Sequence, residues 1–159
     1  MHDYVIILTK ARGPPLPKQK PMLVLVLLRR RGQGTEVISM KIETMHLNNE
    51  TIAVVTAGET IVRDLKSLRE LLSTVRTETG AARVALDKRA VSESFFLLRT
   101  GLAGAAVTAV TEAGGKLAIY GDYSRYLGAD ERAFFYESNN GEALYFLPTR
   151  GEALEKLAA

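Results

Sequence analysis

The chain of 159 residues contains no cysteine, no tryptophan and only two histidines, and these absences exclude several kinds of chemistry. Without cysteine there is no disulfide bond, no thiolate nucleophile and no thiolate metal ligand. A catalytic triad or a histidine-rich metal site would have to use His46. His46 lies in an alternating, strand-like run, which favours a solvent-facing strand residue. Because no cluster of Asp and Glu has a spacing suited to magnesium either, we expect no metal and no cofactor.

Long hydrophobic runs and phosphate-binding glycine loops are also missing. The apolar run from Met22 to Leu28 (MLVLVLL) has seven residues, whereas a helix needs about 20 to span a bilayer. No Gly-x-Gly-x-x-Gly run follows a strand, and no Walker-type loop is present, so no motif supports a nucleotide site. We therefore predict a protein without a membrane span, located in the cytoplasm.

Positive charge is concentrated near the start of the chain. Residues 1–39 hold seven Lys and Arg against two acidic residues, a net of +5, while residues 40–159 hold 14 basic and 16 acidic residues, a net of −2. Nucleic-acid binding needs cations clustered on the binding surface, so the mildly acidic body carries no strong nucleic-acid signal.

Residues 1–39 also differ from the rest in local composition, because the Pro-rich run Gly13–Pro17 (GPPLP) interrupts any regular structure. Three interpretations stay open for this basic extension: a disordered arm, an added edge strand, or the product of a start codon placed upstream of Met40. We assign it no function and treat residues 40–159 as a single domain.

Residues 40–159 alternate between strand and helix patterns. Met40, Ile42 and Thr44 alternate along a first strand, the pair Asn48-Asn49 supplies a turn, and a second strand completes a hairpin. Three further strands are each preceded by a helix pattern, and a last helix begins at the capping pair Thr149 and Glu152. The order ββαβαβαβα predicts an α/β fold with a mostly parallel or mixed sheet of about five strands and four helices.

The second helix is predicted to begin at Ser92 or Ser94, because serine caps helix N-termini. Its apolar side chains recur at helical spacing: Phe95, Leu98, Leu102, Ala106, Ala109 and Ala113. Gly101 and Gly104 lie inside this pattern, and we interpret them as places where the helix approaches a neighbouring backbone closely.

Two polar runs near the end of the chain mark a candidate recognition face. KLAIYGDYS (116–124) closes a strand, and ESNNG (137–141) closes a helix. Loops at such ends are where α/β proteins meet ligands and partners. The candidate residues are Asp122, Tyr123, Ser124, Arg125, Glu137, Asn139 and Asn140. A local turn around Asp122 is the simpler interpretation of the first run.

Three separated motifs resemble the bacterial family called domain of unknown function 4180. They are SESFFLLRTGLAG (92–104), KLAIYGDYSRY (116–126) and FFYESNNG (134–141). The resemblance covers Met40 to about Ala158. The chain departs from the family pattern after Gly104, where Ala105 stands in place of the usual Glu.

The chain also resembles, more distantly, the STAS domains of anti-sigma-factor antagonists. The likeness lies in RVALD (83–87) followed by small residues, and in the closing strand, Pro148 and Glu-Ala-Leu helix. In those proteins a serine at the N-terminus of the second helix accepts phosphate and switches partner binding. The resemblance implies that Ser92 or Ser94 is a phospho-acceptor, whereas the residues alone indicate only a helix cap.

Three hypotheses for function follow. The first is a non-enzymatic, STAS-like regulatory module that binds a protein partner, such as a kinase-like protein. The second is a domain that binds a metabolite or nucleotide through the GDYS and ESNNG loops. The third is a hydrolase or transferase using Asp122, Ser124 and Glu137, which no histidine or cysteine supports.

Overall fold

In the computed structural model the chain forms one seven-stranded sheet with helices on both faces. The structure describes residues 4–11, 23–30, 37–97, 100–126 and 128–159, with side chains from Met40 onward. The predicted break at Gly13–Pro17 and the predicted stripe residue Leu98 lie outside these ranges.

The strands lie in the sheet in the order in which they occur in the chain. They are β1 Tyr4–Ala11, β2 Leu23–Arg30, β3 Val37–Leu47, β4 Glu50–Ala57, β5 Arg83–Asp87, β6 Lys116–Tyr120 and β7 Leu144–Leu147. Strands β1 to β4 pair antiparallel, and β4 to β7 pair parallel. The predicted mixed sheet of residues 40–159 is thus confirmed, and β1 and β2 extend it at one edge.

The helices follow the predicted order. They are α1 Leu65–Thr79, α2 Leu102–Glu112, α3 Ala129–Asn139 and α4 Arg150–Ala158. The hairpin turn has positive φ at Asn48 (51°) and Asn49 (66°), as a two-residue turn matching the strand twist requires. The predicted cap of α4 is also present, since Thr149 Oγ1 accepts the Glu152 N–H at 3.2 Å.

Three helices share one face of the sheet. Each crossover from β4 to β7 advances to the next strand in the same direction, and crossovers of one hand place their helices on one side. The main core on that side unites buried residues of α1, such as Leu68, and of α2, such as Ala106, with the rings of α3. The opposite face is covered by α4 through Ala153 and Leu157.

The start of α2 differs from its prediction. The helix begins at Leu102, after Gly101 with a left-handed φ of 71°, and not at Ser92 or Ser94. Ser92 instead precedes a short 3₁₀ helix, Glu93–Phe96, and Ser94 lies within it; both phenylalanine rings of this helix are buried in the core. The prediction was wrong because a distant residue fixes this segment: the ring of Phe96 packs against Phe146 of β7.

Candidate functional site: a carboxylate that joins two loops

The candidate site lies at the carboxyl ends of β5 and β6, which are neighbours in the sheet. The chain leaves β5 through the 3₁₀ turn Lys88–Ala90 and then forms the segment Ser92–Phe96. It leaves β6 at Gly121, and Gly128 caps the start of α3. We call the segment 92–96 the serine segment and residues 121–126, which follow β6, the β6–α3 loop.

Glu93 joins these two segments. Its Oε1 atom lies 3.0 Å from Arg125 Nη1, and its Oε2 atom accepts a hydrogen bond from the Tyr126 hydroxyl. Lys88 Nζ lies 3.8 Å from the same Oε1 atom. One carboxylate from the β5 side therefore holds two side chains of the β6–α3 loop.

The protonation of this cluster follows from its contacts. The hydrogen bond from Tyr126 lowers the pKa of Glu93 most; burial opposes it, and the neighbouring cations lower it further. Burial, followed by the bond to Glu93, raises the pKa of Tyr126 well above its usual value. At neutral pH Glu93 is therefore an anion and Tyr126 a neutral donor.

Lys88 lies among aromatic rings beside Glu93. Its Nζ atom lies 5.0 Å from the centroid of Phe96, 5.6 Å from that of Tyr123 and 5.2 Å from that of Tyr126. Only 13% of the Lys88 side chain is exposed. Sequence reasoning did not single out Lys88 or Glu93, because the contacts depend on two segments about 30 residues apart.

Tyr123 was predicted to belong to a recognition face, and the structure places its ring in the packing beneath the loop. The ring contacts Phe96, Phe135 and Phe146, with centroid distances of 5.6, 5.2 and 5.8 Å. Its hydroxyl donates to the Ile119 carbonyl at 2.7 Å, and burial raises its pKa. Tyr123 therefore supports the loop from below.

The exposed part of the GDYS run forms a local turn. Asp122 Oδ1 accepts the Ser124 N–H at 2.8 Å, which is the turn that the sequence suggested as the simpler interpretation. Hydrogen bonds from Ser124 lower the pKa of Asp122, so its carboxylate is charged. Asp122, Ser124 and Arg125 are all exposed.

The asparagines of the ESNNG run bond main-chain groups of the fold. The Asn139 side chain binds the main chain of Phe146, and Asn140 Nδ2 donates to the Tyr136 carbonyl at 2.9 Å. Glu137 is exposed. Within the described part of the chain, no hydrogen bond or ion pair joins these residues to Asp122, Ser124 or Arg125. Aromatic packing links the two predicted halves of the face, since Tyr123 packs on Phe135 and Phe146, and Tyr126 packs on Phe135.

The two serines lie on the Glu93 side of the site. Their hydroxyl oxygens are 2.9 Å apart, and both residues are half-buried. The Ser92 N–H donates to the Val62 carbonyl at 2.8 Å, which anchors the serine segment to the chain before α1. Ser92 precedes the 3₁₀ helix without a capping hydrogen bond from its side chain.

The hydroxyl nearest the start of α2 belongs to Thr100, which sequence reasoning missed. Its Oγ1 atom lies 2.8 Å from the carbonyls of Ser94 and Leu97, to which it donates, and accepts the Leu102 N–H at 3.3 Å. The side chain is exposed. A Thr-Gly pair directly before an apolar helical run is a start signal that could have identified it.

The described residues do not form a metal site. His46 is exposed on β3, as predicted, and its Nδ1 atom lies 3.1 Å from Thr51 Oγ1. Among the residues with described positions, no three His, Asp or Glu side chains are grouped so as to hold a metal ion. The helices in that same part are all too short or too polar to cross a membrane.

The fold and this site define an α/β protein whose polar groups at the strand ends pair with one another. The family described as "Domain of unknown function (DUF4180)" matches residues 47–157, which include every candidate residue above. The chain belongs to this family, as its motifs predicted. No curated protein and no solved structure matches the chain. The resemblance to STAS domains gains nothing from these comparisons and stays a prediction.

Proposed function

We propose that this is a bacterial, cytoplasmic, STAS-like regulatory module without enzymatic activity, which binds a protein partner. The contact surface comprises the serine segment and the exposed part of the β6–α3 loop. Both carry exposed charged groups, including Glu93 and Arg125. Tyr136 on α3 adds a large side chain that is 73% exposed, and tyrosine is enriched at protein interfaces.

The observation that carries the proposal is that two adjacent residues, Glu93 and Ser94, bond the β6–α3 loop and the start of α2 respectively. Thr100 bonds the carbonyl of Ser94, and the adjacent Glu93 bonds Arg125 and Tyr126. A change of charge at Thr100 would therefore disturb Ser94, and through the neighbouring Glu93 it would alter the contacts that hold the β6–α3 loop. This arrangement suits a surface whose shape is regulated.

The STAS resemblance implies a phospho-acceptor at the N-terminus of the second helix, and Thr100 is the hydroxyl nearest that position. Phosphorylation would remove the hydrogen that Thr100 donates to Ser94. A phosphate adds a charge of about −1.5 to −2 and would repel Glu93 or compete for its cations. Phosphorylation of Ser92 or Ser94, which flank Glu93 directly, would act on the same contacts, so all three hydroxyls are candidates.

Binding of a metabolite across the two predicted loops is less well supported. That function needs Asp122 and Asn139 to turn polar groups toward a shared cleft. Asp122 instead bonds Ser124, and Asn139 bonds Phe146. The same pairing leaves the enzymatic hypothesis without an activated base, since Asp122 is exposed and its pKa is lowered.

The test compares charge-mimicking variants at the three hydroxyls with one elsewhere. Ser92→Glu, Ser94→Glu and Thr100→Glu are used as baits beside Ser73→Glu, which places the same charge on an exposed position of α1. We expect one protein to be retained by the wild type and by Ser73→Glu, and to be lost from at least one of the other three. Phosphopeptide mapping of the native protein then identifies the acceptor.

A second set of variants tests the surface itself. Arg125→Ala and Tyr136→Ala should weaken binding of the same protein, and their circular dichroism spectra should match the wild type. If no protein is retained specifically, or if Ser73→Glu disrupts binding as much as the hydroxyl variants do, the proposed function is wrong.

A further inference from the structure

The ammonium group of Lys88 lies in an enclosure made of three rings and one carboxylate. The centroids of Phe96, Tyr126 and Tyr123 are 5.0, 5.2 and 5.6 Å from Nζ. Each distance is within the range of about 6 Å at which the negative face of a ring attracts a cation. Glu93 Oε1 at 3.8 Å closes the enclosure with a full negative charge.

The walls of this enclosure are held by contacts that do not involve Lys88. Phe96 is 1% exposed and packs edge-on against Phe95 and Phe146. The Tyr123 hydroxyl is tied to the Ile119 carbonyl, and the Tyr126 hydroxyl is tied to Glu93. The site is therefore preorganised, and little free energy is lost in ordering its walls when a cation enters.

The path of the Lys88 side chain into the enclosure is shaped by Gly121. A Cβ atom on Gly121 would lie 2.6 Å from Lys88 Cβ and 3.1 Å from Lys88 Cδ. Only glycine leaves room for the aliphatic stem here. The stem passes across the start of the β6–α3 loop, and the charge at its end meets the rings.

We propose that Phe96, Tyr123, Tyr126 and Glu93 form a binding site for a primary organic ammonium group, and that the side chain of Lys88 is its resident ligand. Cation–π attraction to three rings, and not the partly exposed ion pair alone, holds the ammonium in place, because exposed ion pairs contribute little. The site connects the segment after β5, which carries Lys88, with the segment after β6, which carries Tyr123 and Tyr126. It stands whether or not the protein has the proposed partner.

Chemical rescue tests this proposal. Lys88→Ala removes three methylene groups and the ammonium, which together correspond to propylammonium. We expect the variant to have a lower Tm and faster hydrogen exchange at residues 122–126. Propylammonium should raise its Tm in a saturable way, as a ligand of the native state does, and should restore the protection.

The controls distinguish rescue by the positive charge of propylammonium from rescue by simply filling the cavity that Lys88→Ala leaves. 1-Propanol, a neutral molecule of similar size, should not rescue Lys88→Ala, and propylammonium should rescue the double variant Lys88→Ala/Glu93→Gln much less. Lys66→Ala, at an exposed position of α1, should show no rescue. Equal rescue by 1-propanol, or no rescue of a folded Lys88→Ala protein, would overturn the proposal.

A measurement on the unaltered protein covers the case in which Lys88→Ala does not fold. Lys88 Nζ lies over three rings, so the NMR signals of the adjoining ε-methylene protons should move upfield of those of the exposed Lys66. Lys88 should also undergo reductive methylation more slowly than Lys41 and Lys66, which are exposed. Signals at random-coil positions together with rapid methylation would show that the ammonium is not enclosed.

Discussion

The side chain of Asn139, at the end of α3, bonds both main-chain groups of Phe146 in β7. Its Oδ1 atom accepts the Phe146 N–H at 2.7 Å, and its Nδ2 atom donates to the Phe146 carbonyl at 3.0 Å. Because β7 is the last strand of the sheet, these groups face away from β6. The carboxamide thus occupies the place of a further strand and covers an edge that could otherwise pair with another chain.

Removing this cover should destabilise the protein and expose the edge. Asn139→Ala leaves the two groups of Phe146, a residue that is 4% exposed, without partners. We expect a loss of about 1–3 kcal/mol in the free energy of unfolding, measured with urea. Light scattering should show self-association that grows with concentration. Asn140→Ala is the matched control, because its exposed amide bonds only the Tyr136 carbonyl. Equal stability of the two variants would contradict this role.

The hairpin turn offers a stabilising substitution. Asn49 has a φ of 66°, in the left-handed region that glycine adopts without steric cost. Asn49→Gly produces the Asn-Gly pair preferred in such turns and should leave stability equal or higher. Asn49→Val should lower the free energy of unfolding by about 1–2 kcal/mol, the cost of a left-handed conformation for a residue with Cβ. Thermal unfolding distinguishes the two, and a tolerated valine would count against the turn type.

Stability should fall in acid, and Asp64 should contribute to the fall. Asp64 Oδ1 accepts the Ser67 N–H at 2.8 Å at the start of α1, and hydrogen bonds from Ser67 lower the pKa of Asp64 below its usual value. The unfolded chain therefore binds the proton more readily. The stabilisation is complete above the unfolded pKa and is lost as the pH falls through the folded pKa.

Urea unfolding between about pH 5 and pH 2 tests this, since that window spans the pKa values of paired carboxylates. Asp64→Asn keeps a capping oxygen but cannot titrate, so its stability should fall less steeply with pH than that of the wild type. At pH 7, Asp64→Ala should cost about 1 kcal/mol, the usual value of a helix cap. An Asp64→Asn protein with the wild-type pH dependence would show that this carboxylate does not contribute.

Two glycines should respond in opposite ways to the same substitution. Gly121→Ala forces its new methyl group into the stem of Lys88 and should destabilise by about 1–3 kcal/mol, as overpacking does. Gly104 lies inside α2, and a Cβ atom added to it would meet no atom within 4 Å. Gly104→Ala should therefore stabilise by about 0.5–1 kcal/mol, the helix preference of alanine over glycine. Urea unfolding measures both changes, and a destabilising Gly104→Ala would restore the close approach predicted from the sequence.

Local patterns predicted most of the fold, and their failures have a common cause. The Asn48-Asn49 turn and the cap at Thr149 depend on neighbouring residues, and both are present. The helix predicted to start at Ser92 fails because Phe95 and Phe96 both turn into the core. The close packing predicted for Gly104 fails because that face of α2 meets no neighbour. In each failure, the outcome depended on which distant parts of the chain pack against the segment, and no local pattern encodes that.

The sequence predicted that polar residues gather at the end of β6, but it did not predict which residues contact one another there. The GDYS run does lie at a strand end, and Arg125 in that loop does belong to the polar cluster. Asn139, predicted as a recognition residue, instead completes the sheet edge. The sequence did not mark Glu93 and Lys88 as members of the site, since an isolated charged residue is most often exposed to solvent.

The amino-acid sequence by itself determined the family, the order of strands and helices in residues 40–159, and the absence of cysteine chemistry. The family follows from three motifs that resemble it, and the other two follow from composition and from periodicities that act over a few residues. Only the tertiary structure decided that Glu93 would meet Arg125, 32 residues away, and that Lys88 would enter a ring of aromatics. The physical reason is that β5 and β6 are made neighbours by a crossover through α2. That crossover joins two loops that share no local pattern.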